Sequence, residues 1–128
     1  MIQYGCIRKA TCRPSYSGRH ILKRRITMYL EKINSPSDIK KLSIDEMKKL
    51  TQEMRDALIF KLSRHGGHCG PNLGFAEATV ALHYVFDSPV DKIVFDVSHQ
   101  TYCHKMLTGR KDGFLYEEHF DDISGYSN

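Results

Sequence analysis

The stretch that most constrains the fold is Ser63–Gly74, which reads SRHGGHCGPNLG. Four glycines fall within nine of its positions, and each would weaken a helix interior because glycine loses the most backbone entropy on folding. We therefore predict a loop rather than a helix here. Glycine permits positive φ and close approach of the backbone to a ligand, so this loop, which carries His68 and Asn72, is a candidate to line a ligand-binding site.

A long amphipathic helix is predicted to precede this loop and to end near Gly66. Ser43 and Glu46 have the spacing of a capping box, with Ser43 as the N-cap. Apolar residues then recur at steps of three and four, as on the buried face of a helix: Met47, Leu50, Met54, Leu58 and Leu62. The polar residues between them are predicted to face solvent: Lys48, Lys49, Gln52 and Glu53. A shorter helix, Ser37–Leu42, is predicted after Pro36.

The segment after the loop, Phe75–Phe86, is nearly all apolar and longer than a usual strand, so it predicts a mostly buried helix. Glu77 is either a first-turn residue facing the loop or a functional carboxylate, and the first reading is favoured because acids suit a helix N-terminus. His83 has no companion at metal-ligand spacing, which favours a core or interface histidine.

A short β-branched run, Lys92–Val97, predicts a buried parallel strand. Ligands bind beyond the carboxyl ends of such strands, where the polar residues Asp96, Ser98, His99 and Gln100 stand. Thr101–Leu107 then predicts a helix closed by Gly109. One strand cannot complete a sheet, because its backbone groups need partners.

Residues 1–27 differ in composition from the rest of the 128-residue chain. They hold seven basic and no acidic side chains, leaving 12 basic and 15 acidic ones elsewhere. A transit peptide has this composition, but so does an upstream artefact if translation starts at Met28, and the lack of an amphipathic basic helix favours the artefact. A solvated tail is compatible with both. No nucleic-acid partner is expected, since only Tyr4 and Tyr16 could stack on bases and the body is acidic.

No apolar run is long enough to span a membrane, so no membrane partner is expected. The four cysteines form no CxxC pair, which fits a reducing cytoplasm and free thiols in small semi-buried slots. A zinc site is a weaker alternative, because the spacing of its possible ligands is wrong: His65, His68, Cys69, His99, Cys103 and His104. Lys105 and Arg110 suit phosphate binding, although their place at a helix end favours a solvated or structural salt-bridge role.

Four segments together resemble the amino-terminal part of the 1-deoxy-D-xylulose-5-phosphate synthase family: SPSDIKKLS, GGHCGPNLG, ALHYVFDSPVDKIVFDVSHQ and HKMLTGR. The resemblance runs from about Leu30 to Gly125. Transketolase and pyruvate dehydrogenase relatives share the fold, but the INSP, HYVFDSP and HKMLTGR segments favour this branch. It implies an α/β fold in which residues 28–128 are an incomplete thiamine diphosphate-binding domain of the transketolase type, mostly helical with one or few parallel strands.

The resemblance further implies a transferase that uses thiamine diphosphate and Mg²⁺ to join pyruvate to glyceraldehyde 3-phosphate with loss of CO₂, for isoprenoid and thiamine precursor synthesis. His68 matches the family histidine near the thiazolium and substrate, and His99 matches the one that contacts the cofactor. Imidazoles of near-neutral pKa can donate to developing oxyanions and shuttle protons. A cytoplasmic homodimer is expected of the full-length family.

The sequence departs from the family pattern at Ser98, where glycine is usual, and at Thr101, Cys103 and Cys69. If position 98 needs positive φ, serine should cost about 1 kcal/mol. The family's magnesium motif, serine-rich loop and cofactor-activating glutamate would lie beyond Asn128, so no metal ligand is expected from this chain. We therefore expect a truncated product that is inactive alone and self-associates, or alternatively a noncatalytic interaction subunit of a split enzyme.

Overall fold

The computed structural model describes residues 29–127, so the predicted leader 1–27 and the predicted start at Met28 lie outside the described residues. Five α-helices follow one another in this region: α1 (Ile44–His65), α2 (Gly70–Gly74), α3 (Ala76–Val85), α4 (Tyr102–Lys105) and α5 (Asp112–Leu115). Short 3₁₀ helices form at Leu30–Lys32, Pro36–Lys41 and Glu117–Asp122. The predicted helix after Pro36 is thus present in 3₁₀ form.

Helix α1 begins and ends where the sequence predicts. The Ser43 hydroxyl accepts from the Glu46 amide at 3.3 Å, and the Glu46 carboxylate accepts from the Ser43 amide at 2.8 Å. This reciprocal pair satisfies two amides that the helix cannot bond internally. At the other end Gly66 has φ +83°, a backbone conformation that favours glycine and stops the helix.

The core forms where α1 packs against α3 and α5. Leu50, Met54 and Leu58 are fully buried, as predicted, and Met47 and Leu62 pack at the margin. The prediction that Glu53 faces solvent is wrong. Its carboxylate is buried and accepts the amides of Tyr29 and Leu30 at 2.9 and 2.8 Å, because the turn that opens the described chain leaves those amides without helical acceptors.

Helix α3 confirms the predicted helix but exposes more of it than expected. Its buried face consists of Ala76, Thr79, Val80 and His83. Tyr84, Val85 and Phe86 at its end are largely exposed. Ile44 and Met47 of α1 line an apolar groove of about 390 Å³ with Val80, Tyr84 and Val85 of α3. Within residues 29–127 no helix is both long and apolar enough to cross a membrane.

Three lysines hold distant segments together through backbone carbonyls. Lys61 in α1 donates to Gly113 and Phe120, Lys105 in α4 donates to Ser124 and Tyr126, and Lys111 donates to Glu31 and Ile33. Lys61 and Lys105 are buried to within 2% of their surface. An ammonium group offers three donors, so each lysine satisfies several carbonyls that no regular helix or sheet pairs.

The predicted parallel strand over residues 92–97 is not confirmed, because no strand forms in the part of the chain that the structure describes. Val94 is 91% exposed and Val97 64% exposed. Phe95 alone is anchored, with its ring centroid 6.2 Å from that of Phe75 and 5.2 Å from that of His104. A strand needs a neighbouring strand for its hydrogen bonds, and residues 29–127 form none.

Candidate functional site

The glycine-rich stretch is partly a loop and partly helical. Gly66 and Gly67 have φ +83° and +130°, which confirms the predicted use of glycine for unusual backbone conformation. The prediction of a loop throughout is wrong from Gly70 onward, where the short helix α2 runs to Gly74. Pro71 in the first turn suits a helix start, and buried Asn72 anchors the turn. His68 therefore lies between two positive-φ glycines and a helix start.

The structure brings His68 and His99 together from two separate loops. Their ring centroids are 5.8 Å apart and the rings are close to perpendicular, at 67°. Tyr126 and Tyr102 lie on other sides of the His68 ring, at 5.1 and 6.3 Å between centroids. The Nδ1 atoms of both histidines are buried and find no hydrogen-bond partner among residues 29–127.

Asn72 links the two histidine loops. It is fully buried, and its Nδ2 donates to the His68 carbonyl at 2.7 Å and to the His99 carbonyl at 2.8 Å. Its Oδ1 accepts from the Tyr102 amide at 2.9 Å. The sequence pointed to Asn72 only as part of the loop, since nothing in the local pattern predicts a contact with a residue 27 positions away.

The loop before His99 has an unusual backbone. Val97 and Ser98 have φ +58° and +69°, a region that non-glycine residues seldom adopt. This confirms the condition set from the sequence, namely that position 98 requires positive φ. The Ser98 hydroxyl also accepts from Ser127 at 2.8 Å and lies 3.4 Å from the Phe95 carbonyl. These contacts offset little of the free energy that a serine at positive φ costs.

We expect Ser98→Gly to raise the free energy of unfolding by about 1 kcal/mol, because glycine adopts this φ without strain. Urea denaturation followed by circular dichroism measures the change. Ser37→Gly, within the 3₁₀ helix Pro36–Lys41, is the control and should lower stability, since glycine adds backbone freedom to the unfolded chain and removes the hydroxyl that lies 2.7 Å from that of Ser35. Equal losses in both variants would contradict the assignment of strain to position 98.

A second histidine pair lies between α3 and α4, with His83 fully buried and His104 half-buried. The His83 Nε2 and His104 Nδ1 atoms lie 2.8 Å apart, and the rings stack at 5.0 Å. Burial is the main reason that the pKa of His104 falls to about 4, and the charges of Arg110 and Lys105 lower it further. Burial also lowers the pKa of His83. His83 thus lies in the core as predicted, with His104 as the partner of its Nε2 atom, while its Nδ1 atom finds no partner among residues 29–127.

This pair should make the fold less stable in acid. The ordinary histidine pKa of 6.5 applies to the unfolded chain, whereas the folded pKa of His104 is about 4, so unfolding takes up protons between these values. Stability is therefore complete above pH ~6.5 and is lost as the pH falls toward 4. We expect the free energy of unfolding to fall by about 2 kcal/mol, which is less than the full pKa shift would give because solvent screens the partly exposed His104 ring. The free energy of unfolding, measured by urea denaturation, should depend less on pH in this range for His104→Asn than for the unsubstituted chain. An equal pH dependence of the two proteins would refute the assignment of the effect to His104.

The other predicted candidates have structural roles. Glu77 lies in the first turn of α3, and its carboxylate pairs with Arg55, which lowers the pKa of Glu77. Burial raises the pKa of the Cys103 thiol to about 12, so it is unreactive. Lys105 bonds to carbonyls and Arg110 to the Thr108 hydroxyl, and neither pairs with an acid among residues 29–127. In the same range no three His, Cys, Asp or Glu side chains could hold a metal ion.

The helices hold two histidine-bearing loops side by side, and sequence comparison gives the family. A family model described as 1-deoxy-D-xylulose-5-phosphate synthase matches residues 30–128. The chain belongs to the 1-deoxy-D-xylulose-5-phosphate synthase family, whose members are transferases of isoprenoid biosynthesis.

Curated relatives bear the same name. The synthase of Caldanaerobacter subterraneus is 54% identical over 98 residues, that of Dictyoglomus thermophilum 54% over 99 and that of Thermomicrobium roseum 55% over 100. Each alignment covers 77% of this chain and 16% of the relative. The chain therefore spans about a sixth of the length of these synthases.

Proposed function

We propose that this chain contributes part of the thiamine diphosphate site of a 1-deoxy-D-xylulose-5-phosphate synthase, which joins pyruvate to glyceraldehyde 3-phosphate with loss of CO₂. The observation that carries the proposal is the pairing of His68 with His99. Both Nδ1 atoms are buried without a partner among the described residues, a state that costs free energy unless a bound group satisfies them. His83 Nδ1 and Gln100 Oε1 are in the same state, so it is the 5.8 Å separation of the two rings that distinguishes this pair. Family membership gives that group its chemical identity.

The two histidines have different proposed roles. His99 contacts the cofactor, and His68 faces the reacting centre, where its imidazole donates a hydrogen bond to an oxygen that gains negative charge or carries a proton. Thiamine diphosphate, when bound, supplies the electron sink for the carbon chemistry. The Tyr102 and Tyr126 rings pack against the His68 ring, with centroids 6.3 and 5.1 Å away.

The complete activity is proposed to need residues outside this chain, since the chain spans 16% of its relatives. These residues would hold Mg²⁺ with the diphosphate, and they would pair with residues 92–97 as a parallel strand. A cytoplasmic homodimer is proposed for the complete enzyme. The isolated 128-residue chain is proposed to be inactive in pyruvate decarboxylation; measurable turnover with cofactor and Mg²⁺ would refute this.

Titration of the 128-residue chain with thiamine diphosphate, followed by calorimetry and by NMR of the imidazole nitrogens, tests the site. We expect the Nδ1 signals of His68 and His99 to shift on binding, and His99→Ala to weaken binding about tenfold or more. His119→Ala is the control, because His119 is exposed and pairs with Asp122 away from both loops. Unshifted imidazole signals at saturation, or equal effects of both variants, would contradict the proposal.

A noncatalytic interaction subunit of a split enzyme is the second candidate. It is favoured by the exposed apolar residues that continue from the end of α3, including Tyr84, Val85, Phe86, Val90 and Val94. Contiguous exposed apolar surface of this kind marks interaction sites or leads to self-association. Sizing chromatography of the chain tests this candidate, which predicts dimers or larger species; a monomer at all concentrations would count against it.

A further inference from the structure

Asn72 uses every hydrogen-bonding group of its side chain within the protein. Its two amide protons go to the carbonyls of His68 and His99, and its oxygen accepts the Tyr102 amide. All three partners lie 2.7 to 2.9 Å away, and no part of Asn72 is exposed. The side chain is therefore unable to contact a ligand, and any effect it has on the site passes through the two histidines.

The chemistry of this position suits asparagine alone among residues of its size. The two carbonyls need donors and the amide needs an acceptor, a combination that a primary amide supplies in one plane. Aspartate would place oxygen lone pairs against both carbonyls, and leucine would leave three buried backbone groups unsatisfied.

Regular backbone hydrogen bonding does not set the spacing of the two histidine loops, although side chains touch each loop separately: Tyr102 and Tyr126 pack on His68, and Thr101 and Ser127 bond to Ser98. Gly66 and Gly67 precede His68, and Val97 and Ser98 precede His99, all four with positive φ. Residues with positive φ interrupt regular backbone hydrogen bonding, so no helix holds either imidazole in position directly. The Asn72 amide is the contact that joins one histidine backbone to the other.

We propose that Asn72 is a positioning residue that sets the separation of His68 and His99 by holding both main-chain carbonyls. This inference rests on the proposed function for its catalytic meaning, but its geometry can be tested without any cofactor. Loss of the amide would let the two loops move independently, and the paired imidazoles would separate while the helical core kept its packing.

The test uses NMR on the 128-residue chain carrying Asn72→Asp, with Thr79→Val as the matched control. Thr79 is equally buried and also donates to a backbone carbonyl, that of Phe75, but it lies away from both histidines. We expect N72D to abolish the cross-relaxation between the His68 and His99 rings, to move both sets of imidazole signals and to weaken thiamine diphosphate binding about tenfold or more. T79V should lower stability with the ring signals unchanged. Retained cross-relaxation in a folded N72D protein would overturn the inference.

A measurement on the unsubstituted chain covers the case in which N72D does not fold. The Asn72 amide protons should exchange with solvent about 100-fold more slowly than those of Asn34, whose amide is exposed. Equal exchange rates would overturn the inference. Failure of the unsubstituted chain to bind thiamine diphosphate would remove the proposed function instead, because the ring contact and the exchange rates report on Asn72 regardless of cofactor.

Discussion

Lys61→Ala should lower the free energy of unfolding by about 4 kcal/mol, enough to unfold a marginal domain. The Lys61 Nζ atom donates to the carbonyls of Gly113 at 3.0 Å and Phe120 at 2.6 Å, and lies 5.1 and 5.2 Å from the ring centroids of Phe114 and Phe120. Alanine would leave two buried carbonyls unsatisfied, at ~1–3 kcal/mol each, and a cavity where the aliphatic stem packs.

Urea denaturation gives the stability change, and two further variants separate its causes. Lys61→Met keeps most of the stem and removes the ammonium group, so it should cost about half as much as Lys61→Ala. Lys48→Ala is the control on the same helix, because Lys48 forms only an exposed pair with Asp45 and should change stability by less than about 0.5 kcal/mol. A cost for Lys61→Ala as small as that of the control would refute the assigned role.

The features that the sequence predicts well are those determined by residues close together in the chain. The capping box at Ser43 and the glycine end at Gly66 are contacts within about four positions, and the apolar face of α1 is a repeat of three- and four-residue steps. These local patterns can be recognised before it is known that α1 packs against α3 and α5.

The buried charges were not predicted because their partners lie far away in the chain. Glu53 bonds to amides 23 and 24 residues earlier, and Lys61 bonds to carbonyls 52 and 59 residues later. Glu53 was predicted to face solvent, whereas Lys61 falls three residues after Leu58 and seven after Met54, on the apolar face, where a charged side chain does not reveal its partner. Only the folded chain brings unsatisfied backbone groups to them, and the same is true of Lys105.

The site was predicted in part and for a different reason. His68 and His99 were identified by resemblance to a family rather than by any periodicity, and the structure places their rings 5.8 Å apart. The strand over residues 92–97 illustrates the opposite case. Its β-branched pattern is genuine, but β structure depends on a partner backbone, and none of the residues from 29 to 127 provides it.

Gly67→Ala should disrupt the His68 loop more than any other glycine substitution there. Gly67 has φ +130°, and a Cβ atom would lie 2.8 Å from both Leu62 Cδ2 and the Tyr102 hydroxyl. Alanine is strained at this φ, and the contacts would force Tyr102 away from the His68 ring, whose centroid is 6.3 Å from its own. We expect a loss of about 3 kcal/mol and altered His68 imidazole signals.

Two neighbouring glycines separate strain from contact in this prediction. Gly66 also has positive φ, +83°, but a Cβ there would meet nothing, so Gly66→Ala should cost about 1 kcal/mol through strain alone. Gly74→Ala meets neither obstacle and should be neutral or stabilising by about 0.5 kcal/mol. Urea denaturation and NMR of the three variants should therefore rank them 67, 66, 74 in stability loss. Only the first should move the His68 signals, because only there does the added methyl group reach the side chain that packs against the imidazole.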